Sequence, residues 1–259
     1  MAHRAKLQAP LCKERVFFMS AFIAPSDPTP PSPYADPSGG YTCTMVQQNQ
    51  SGVVVFDHPL IAHKLATIRS KDAGHRMFRA ALSQIAGLMV YEVTRSLPTE
   101  TVDIQTPMTT TKCSIIKGTI TIVPVLRAGL GMIDGILEVM PEARVGHLGL
   151  ARDEQTLEPV AYLNKLPVDI DAGPVILVDP MLATGGSASA AISMLRQAGA
   201  NDIRMICLVA APEGIERLRK DHPEVTIYAA ALDDRLDESG YIVPGLGDAG
   251  DRMYGTIQG

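Results

Sequence analysis

Four branched apolar residues, Val175-Ile-Leu-Val178, run straight into an acid, Asp179. Pro180-Met-Leu-Ala-Thr-Gly-Gly-Ser187 follows, and then Ala188-Ser-Ala-Ala-Ile-Ser-Met-Leu-Arg196, which has helical character. A short apolar run without polar alternation marks a strand buried on both faces. Strand, tight turn and helix in that order build a parallel sheet, and this constrains the chain more than any other feature. A helix N-terminus carries unpaired N–H groups and a partial positive charge, so it suits a phosphate. Gly185 and Gly186 let the backbone approach an anion, and Thr184 and Ser187 add hydroxyl donors. Asp179 falls at the carboxyl end of the strand, where open α/β sheets bind ligands. An acid beside a phosphate cradle suits sugar hydroxyls or a magnesium ion.

Taken alone, the same turn also fits an ordinary strand–turn–helix unit with a Thr or Ser cap. A triphosphate P-loop is excluded because no Gly-Lys-Ser/Thr follows, and adjacent glycines do not make G-x-G-x-x-G. The rest of the chain repeats the alternation. Strands are predicted at Val53–Phe56, Thr119–Leu126, Arg144–Ala151, Pro159–Leu163, Ile203–Ala210 and Val225–Ala229. Helices are predicted after Asp57, which reads as an N-cap ahead of Pro59, at His75–Ser96, at Met132–Val139 and at Pro212–Asp221. Thr101 to Lys117, with Pro107 and a Thr cluster, reads as a protruding β-arm or loop. Strands alternating with helices give a parallel sheet covered on both faces.

Residues 1–50 differ from this core. Seven prolines lie between Pro10 and Pro37, and Gln47-Gln-Asn-Gln50 has linker character. The segment is expected to be a disordered leader before a domain spanning 51–259. Val16 to Ala24, behind Lys13 and Arg15, has the outline of a signal-peptide apolar core, but Phe22 fits a cleavage site badly. Met45 could be the true start. The net charge of −5 and a pI near 5.7 argue against an extended nucleic-acid footprint. Cys12, Cys43, Cys113 and Cys207 have no paired spacing, so disulfides and a zinc site are not expected and a cytoplasmic location fits. No apolar run reaches membrane-spanning length.

The string from Asp179 to Ser187 resembles the phosphoribosyl-diphosphate (PRPP) loop of phosphoribosyltransferases, with Pro180 in place of the usual second acid, as in the uracil phosphoribosyltransferase family. Val123-Pro-Val-Leu-Arg-Ala-Gly-Leu-Gly-Met132 resembles that family's diphosphate loop. Leu150-Ala-Arg-Asp-Glu-Gln-Thr-Leu-Glu-Pro-Val160 resembles its hood, although Ala151 stands where a Tyr is common. Gly240-Tyr-Ile-Val-Pro-Gly-Leu-Gly-Asp-Ala-Gly-Asp-Arg-Met-Tyr-Gly255 resembles its uracil-binding tail. The four segments occur in family order, and the likeness runs from about Val53 to Gly259.

The resemblance implies a type I phosphoribosyltransferase-like α/β fold: a mostly parallel sheet with helices on both faces, a β-arm and a C-terminal base-binding hood. It implies transfer of phosphoribose from PRPP to uracil, giving UMP and diphosphate. Catalysis falls to Asp179, Arg127 and Arg152. PRPP would meet Arg127, Arg152, Asp179, Pro180, Met181, Leu182, Ala183, Thr184, Gly185, Gly186, Ser187 and Asp248, with the 5′-phosphate in 183–187. Uracil would meet Ile242, Gly247, Asp248 and Ala249. Magnesium would arrive with PRPP, without direct protein ligands. The family also implies a cis Arg127–Ala128 peptide, and it includes members stimulated by GTP as an effector, though no GTP site is legible in this chain; the long apolar helix of 75–96 suits a homodimer or higher homo-oligomer.

Pro244 and the four glycines of 240–250 exclude a helix there and expose backbone groups, which could match the alternating donors and acceptors of a uracil edge. Arg127 at a strand end also fits a structural ion pair, Arg152 a solvated charged loop, and Arg79 a surface helix residue. Two other functions compete. An RNA-binding regulator on the same scaffold would need a basic face. A transferase for another base would differ in its base contacts, and a purine enzyme would often use an aromatic stack, while this chain has no Trp.

Overall fold

The computed structural model describes residues 46–49, 52–152 and 159–256. The chain enters with an antiparallel pair, β1 (Val46–Asn49) and β2 (Val53–Phe56). Helices α1 (Pro59–Arg69) and α2 (His75–Val93) follow. Next come an arm, β3 (Thr99–Gln105) and β4 (Thr110–Ile116), then β5 (Thr121–Leu126), α3 (Leu130–Val139), β6 (Arg144–Val145), β7 (His147–Arg152) and β8 (Pro159–Lys165). A 3₁₀ turn at Ile170–Ala172 leads into β9 (Val175–Val178), β10 (Met181–Leu182), α4 (Gly186–Gln197), β11 (Ile203–Ala210) and α5 (Pro212–Asp221). The last elements are β12 (Thr226–Leu232), β13 (Arg235–Leu236), β14 (Ile242–Val243) and α6 (Ala249–Tyr254).

The main sheet has the order β1-β2-β12-β11-β9-β5-β7-β8. Its inner pairings are all parallel, and only the edge pairs β1–β2 and β7–β8 are antiparallel. Because successive side chains alternate faces, each apolar strand feeds two cores. Ile176 and Val178 face one with α1, α2, α3 and α6. Val175 and Leu177 face the other with α4 and α5. This is the expected mostly parallel sheet with helices on both faces.

Some boundaries differ from the sequence reading. Residues 46–49, read as linker, pair with β2; residues 1–45 lie outside the described residues. His58, not Asp57, caps α1: its Nδ1 accepts from the Leu60 N–H at 3.1 Å, while Pro59 occupies the first turn as expected. Helix α2 stops at Val93 rather than Ser96, where the buried Arg204 donates to the Val93 carbonyl at 2.5 Å and to Ser96 Oγ at 3.2 Å. A guanidinium at a helix C-terminus satisfies orphan carbonyls and favours the end of the helix there. The arm is a regular hairpin, Thr99 opposite Ile116 through Gln105 opposite Thr110.

Helices α2 and α3 meet backbone to backbone. A Cβ on Gly135 would lie 1.8 Å from the Ser83 carbonyl oxygen, and one on Gly87 would lie 2.7 Å from that of Gly135. Neither obstacle is a flexible side chain, so an added methyl forces the helices apart. Gly135→Ala is expected to destabilise the fold by about 1–3 kcal/mol through overpacking, which urea unfolding of the two proteins measures. An unchanged midpoint would mean the helix pair can slide.

Candidate active site

The candidate phosphate loop is shaped by strand pairing. After Val178 the chain passes Asp179 and Pro180, and β10 pairs in parallel with the end of β11, Leu182 opposite Ala210. The Pro180 carbonyl accepts from Leu208 and Val209, and the Leu182 carbonyl accepts from Ala211. Gly185 then turns with φ +77° and opens α4, which has no side-chain cap. The first-turn N–H groups of α4 are therefore left for an anion. A Cβ on Gly185 would meet the Gly214 carbonyl oxygen at 2.9 Å, and a Cβ on Gly214 would meet the Ala183 carbonyl oxygen at 2.3 Å. Helix α5 thus presses its first turn against the loop. Gly214 was missed by sequence reasoning; a glycine inside the first turn of a helix, where Ala would be better, was the available signal.

Asp179 is half-buried at the carboxyl end of β9. Its Oδ1 accepts a long bond from the Met181 N–H at 3.4 Å. Burial pushes its carboxyl up to about 7, with the Met181 bond opposing only in part. No cation pairs with it among the described residues. Burial likewise pushes the neighbouring Cys207 thiol up, and the Asp179 charge adds to that.

The diphosphate-loop candidate leaves β5 beside it. A Cβ on Gly129 would lie 2.6 Å from the Val178 carbonyl oxygen and 2.7 Å from that of Val125, so only glycine lets this loop close on β9. The cis peptide is Leu126–Arg127, one bond earlier than the expected Arg127–Ala128. Arg127 is exposed, with Nη2 3.5 Å from Asp251 Oδ1 and its guanidinium 6.0 Å from the Tyr254 ring. That is no buried structural pair; exposed ion pairs of this kind contribute about 0–1 kcal/mol.

The tail approaches from the other side. β13 and β14 form a short ribbon, Leu236 opposite Ile242, followed by a cis Val243–Pro244 bond and positive-φ turns at Gly245 and Gly247. Residues 244–248 are non-helical as expected, but α6 begins at Ala249 and includes Gly250. Its cap is Asp248, whose Oδ1 accepts from the Asp251 N–H at 2.8 Å. One oxygen of this predicted ligand is therefore used structurally. Ile242 and Ala249 are buried, and Gly247 is exposed. Arg252 donates to the carbonyls of Ile68, Leu246 and Ser70 and stacks 4.6 Å over Phe78. Arg79, read as a surface residue, donates to the Met253 carbonyl at 2.8 Å and ties α2 to α6.

Three of the four candidate segments converge. A Cβ on Gly250 would be 3.7 Å from Arg127 Nη2, and one on Gly240 would be 3.9 Å from Thr184 Cγ2. The tail thus meets both the candidate diphosphate loop and the candidate phosphate loop. The backbone of Arg152 ends β7; residues 153–158 of the hood lie outside the described residues.

The family model for uracil phosphoribosyltransferase matches residues 54–256. A uracil phosphoribosyltransferase of Clostridium perfringens is 57% identical over 207 residues, covering 80% of this chain and 99% of the relative. One of Bacillus pumilus is 57% identical over 205 residues, covering 79% and 98%. The chain belongs to the uracil phosphoribosyltransferase family. A solved protein from Aquifex aeolicus superposes with a TM-score of 0.75 at 37% identity, over 78% of this chain and 97% of that one. The family match spans every candidate residue named above, and the fold is that of the phosphoribosyltransferases.

In this family member Asp179 generates a pH signature. Its native carboxyl holds a proton up to about pH 7, whereas in the unfolded chain it ionises near 4. Between those values the native state binds more protons, so this group lowers stability as pH rises. Asp179→Asn removes the cost. The melting temperature of the variant relative to the parent is expected to be higher at pH 8 than at pH 5, by roughly 2–4 °C per kcal/mol relieved. Thermal unfolding at both pH values checks it, and a difference independent of pH would contradict the buried-acid assignment.

Proposed function

We propose that this chain transfers the 5-phosphoribosyl group of PRPP to N1 of uracil, forming UMP and diphosphate in pyrimidine salvage. The observation that carries this is the meeting of three loops at one sheet edge: Gly129 packed on Val178, Arg127 against Asp251, and Gly240 beside Thr184. In the reaction the bond from the anomeric carbon to diphosphate breaks, the bond to N1 forms, and the N1 proton is lost. The carbon passes through an oxocarbenium-like state. Negative charge gathers on the leaving diphosphate as that state forms, so a cation placed there stabilises the transition state more than the ground state.

Arg127 is assigned to the diphosphate, since its guanidinium is exposed and weakly paired. Arg152 is assigned to it from the hood side, which would also exclude water. The uncapped start of α4, with Ala183, Thr184, Gly185, Gly186 and Ser187, is assigned to the 5′-phosphate. Asp179 and the free oxygen of Asp248 are assigned to the ribose hydroxyls or to waters on magnesium. Both are isolated carboxylates, and no cluster of three or more metal-ligating side chains exists among the described residues. That donor set fits an ion brought in on PRPP, where magnesium would neutralise charge on the diphosphate. Ile242, Gly247 and Ala249 are assigned to the base edge.

Assembly into a homo-oligomer belongs to the same reading. A two-stranded ribbon alone is marginal in water, yet the arm leaves Ile104, Met108, Ile115 and Ile116 exposed. GTP as an effector rests on the resemblance, and a cytoplasmic location rests on the scattered cysteines. No described helix is long and apolar enough to cross a membrane. The net charge of −5 disfavours the RNA-regulator alternative.

A panel of free bases with PRPP and magnesium, following diphosphate release, tests the reading. Uracil is expected to react and cytosine to be disfavoured roughly ten- to hundredfold, the cost of one mismatched buried hydrogen bond. Equal turnover of both bases would sink the base assignment. In the same assay Arg127→Ala is expected to lower turnover and weaken PRPP use together, by about 100-fold in kcat/KM, with little change in melting temperature. Unchanged PRPP kinetics would remove Arg127 from the site.

A further inference from the structure

Both backbone polar groups of Gly245 are held by one ion pair. Asp233 Oδ2 accepts from the Gly245 N–H at 2.9 Å, and Arg69 Nη1 donates to the Gly245 carbonyl at 2.8 Å. The two side chains bind each other in fork geometry, Nη1 to Oδ2 at 2.9 Å and Nη2 to Oδ1 at 2.5 Å. The Asp233 side chain is only 3% exposed and that of Arg69 24%. Gly245 itself sits at φ +62°, and a Cβ there would fall 2.0 Å from the Ile242 carbonyl oxygen. The turn is thus pinned in a conformation that other residues rarely adopt.

The pair also places that turn against the rest of the site. The Asp233 N–H donates to the Ala210 carbonyl at 2.8 Å. Ala210 is the β11 residue opposite Leu182, on which the phosphate loop begins. One short path therefore joins the tail to the phosphate cradle, through Gly245, Asp233, Ala210 and Leu182. Arg252 reinforces it from the opposite direction, bonding Leu246 in the tail and Ile68 and Ser70 around Arg69. In a transfer reaction the base must stand in line with the anomeric carbon, and a misplacement of about 1 Å costs on the order of a hundredfold. A planar, bidentate pair fixes direction as well as distance.

We propose that Arg69 and Asp233 are positioning residues that set the place and selectivity of the base by clamping Gly245. The proposal rests on the reading of the 240–249 tail as the base loop. Asp233→Asn, Arg69→Gln and Arg69→Lys in the full-length chain test it, with steady-state kinetics in uracil, cytosine and PRPP. Amide hydrogen exchange across 240–256 is followed in the same proteins, below their measured melting temperatures. The clamp predicts a rise of about tenfold or more in KM for uracil, a narrowed preference over cytosine, PRPP KM within about twofold of the parent, and faster exchange in 240–256. Arg69→Lys, which keeps the charge and one donor, recovers part of the loss; it also carries the test if Asp233→Asn does not fold. Unchanged exchange with unchanged kinetics overturns the clamp, as does an equal rise in both KM values. Faster exchange with a raised PRPP KM and an unmoved uracil KM overturns the base-loop reading instead, and the proposal with it.

Discussion

Burial of a parallel sheet on both faces is the constraint on which this molecule depends. Parallel strands need crossover connections, and those crossovers cover the sheet with helices. The carboxyl ends of all the inner strands then collect along one edge. Arg127 follows β5, Arg152 ends β7, Asp179 follows β9 and Asp233 follows β12. Each is the residue at or just past the carboxyl end of its strand. A charged group can stand there without entering the core, because the strand beneath it is fixed by apolar packing on both sides.

The charges at that edge divide into two kinds. Arg69 and Asp233 are satisfied by each other and by Gly245, so the chain itself holds them in place. Removing one partner of such a pair would leave a buried charge alone, which is costly. Asp179 and Arg127 are left incomplete. One is an acid whose ionisation burial opposes, and the other is a guanidinium with a distant, exposed partner. A cation-bearing, polyanionic ligand would supply what each lacks. On the proposed assignments, the positioning pair is complete within the chain, while Asp179 and Arg127 are the groups a substrate would complete.

This division also explains what the sequence made legible. β11 and α5 agree with the reading to the residue, because Ile203–Ala210 is apolar at every position but Arg204 and Pro212 marks a helix start. The phosphate loop was legible because its chemistry is local: an acid, two glycines and two hydroxyls within nine residues of Asp179. The clamp was not, since Arg69 and Asp233 are 164 residues apart and each alone looks like a surface charge. Gly214 was silent for the same reason, and Gly129 showed only as part of a motif: what makes each necessary is a carbonyl from another segment. The cap of α1 went to His58 rather than Asp57 by a shift of one residue, which propensity cannot separate when both side chains offer an acceptor.

The contact between Arg127 and the tail raises the question of whether the subsites of the two substrates are coupled. Arg127 reaches Asp251 at 3.5 Å, and Asp251 lies in the first turn of the helix that Asp248 caps. On the proposed assignment, drawing Arg127 onto a diphosphate would release Asp251 and so loosen the tail. The magnitudes argue otherwise. A pair exposed at 59% and 38% contributes about 0–1 kcal/mol, less than a factor of about six in any equilibrium. The tail is held independently by the buried carboxylate of Asp233 and by three carbonyls on Arg252. Charge-assisted bonds of that kind contribute about 1.5–3 kcal/mol each. The tail should therefore keep its shape whether Arg127 is engaged elsewhere or paired with Asp251.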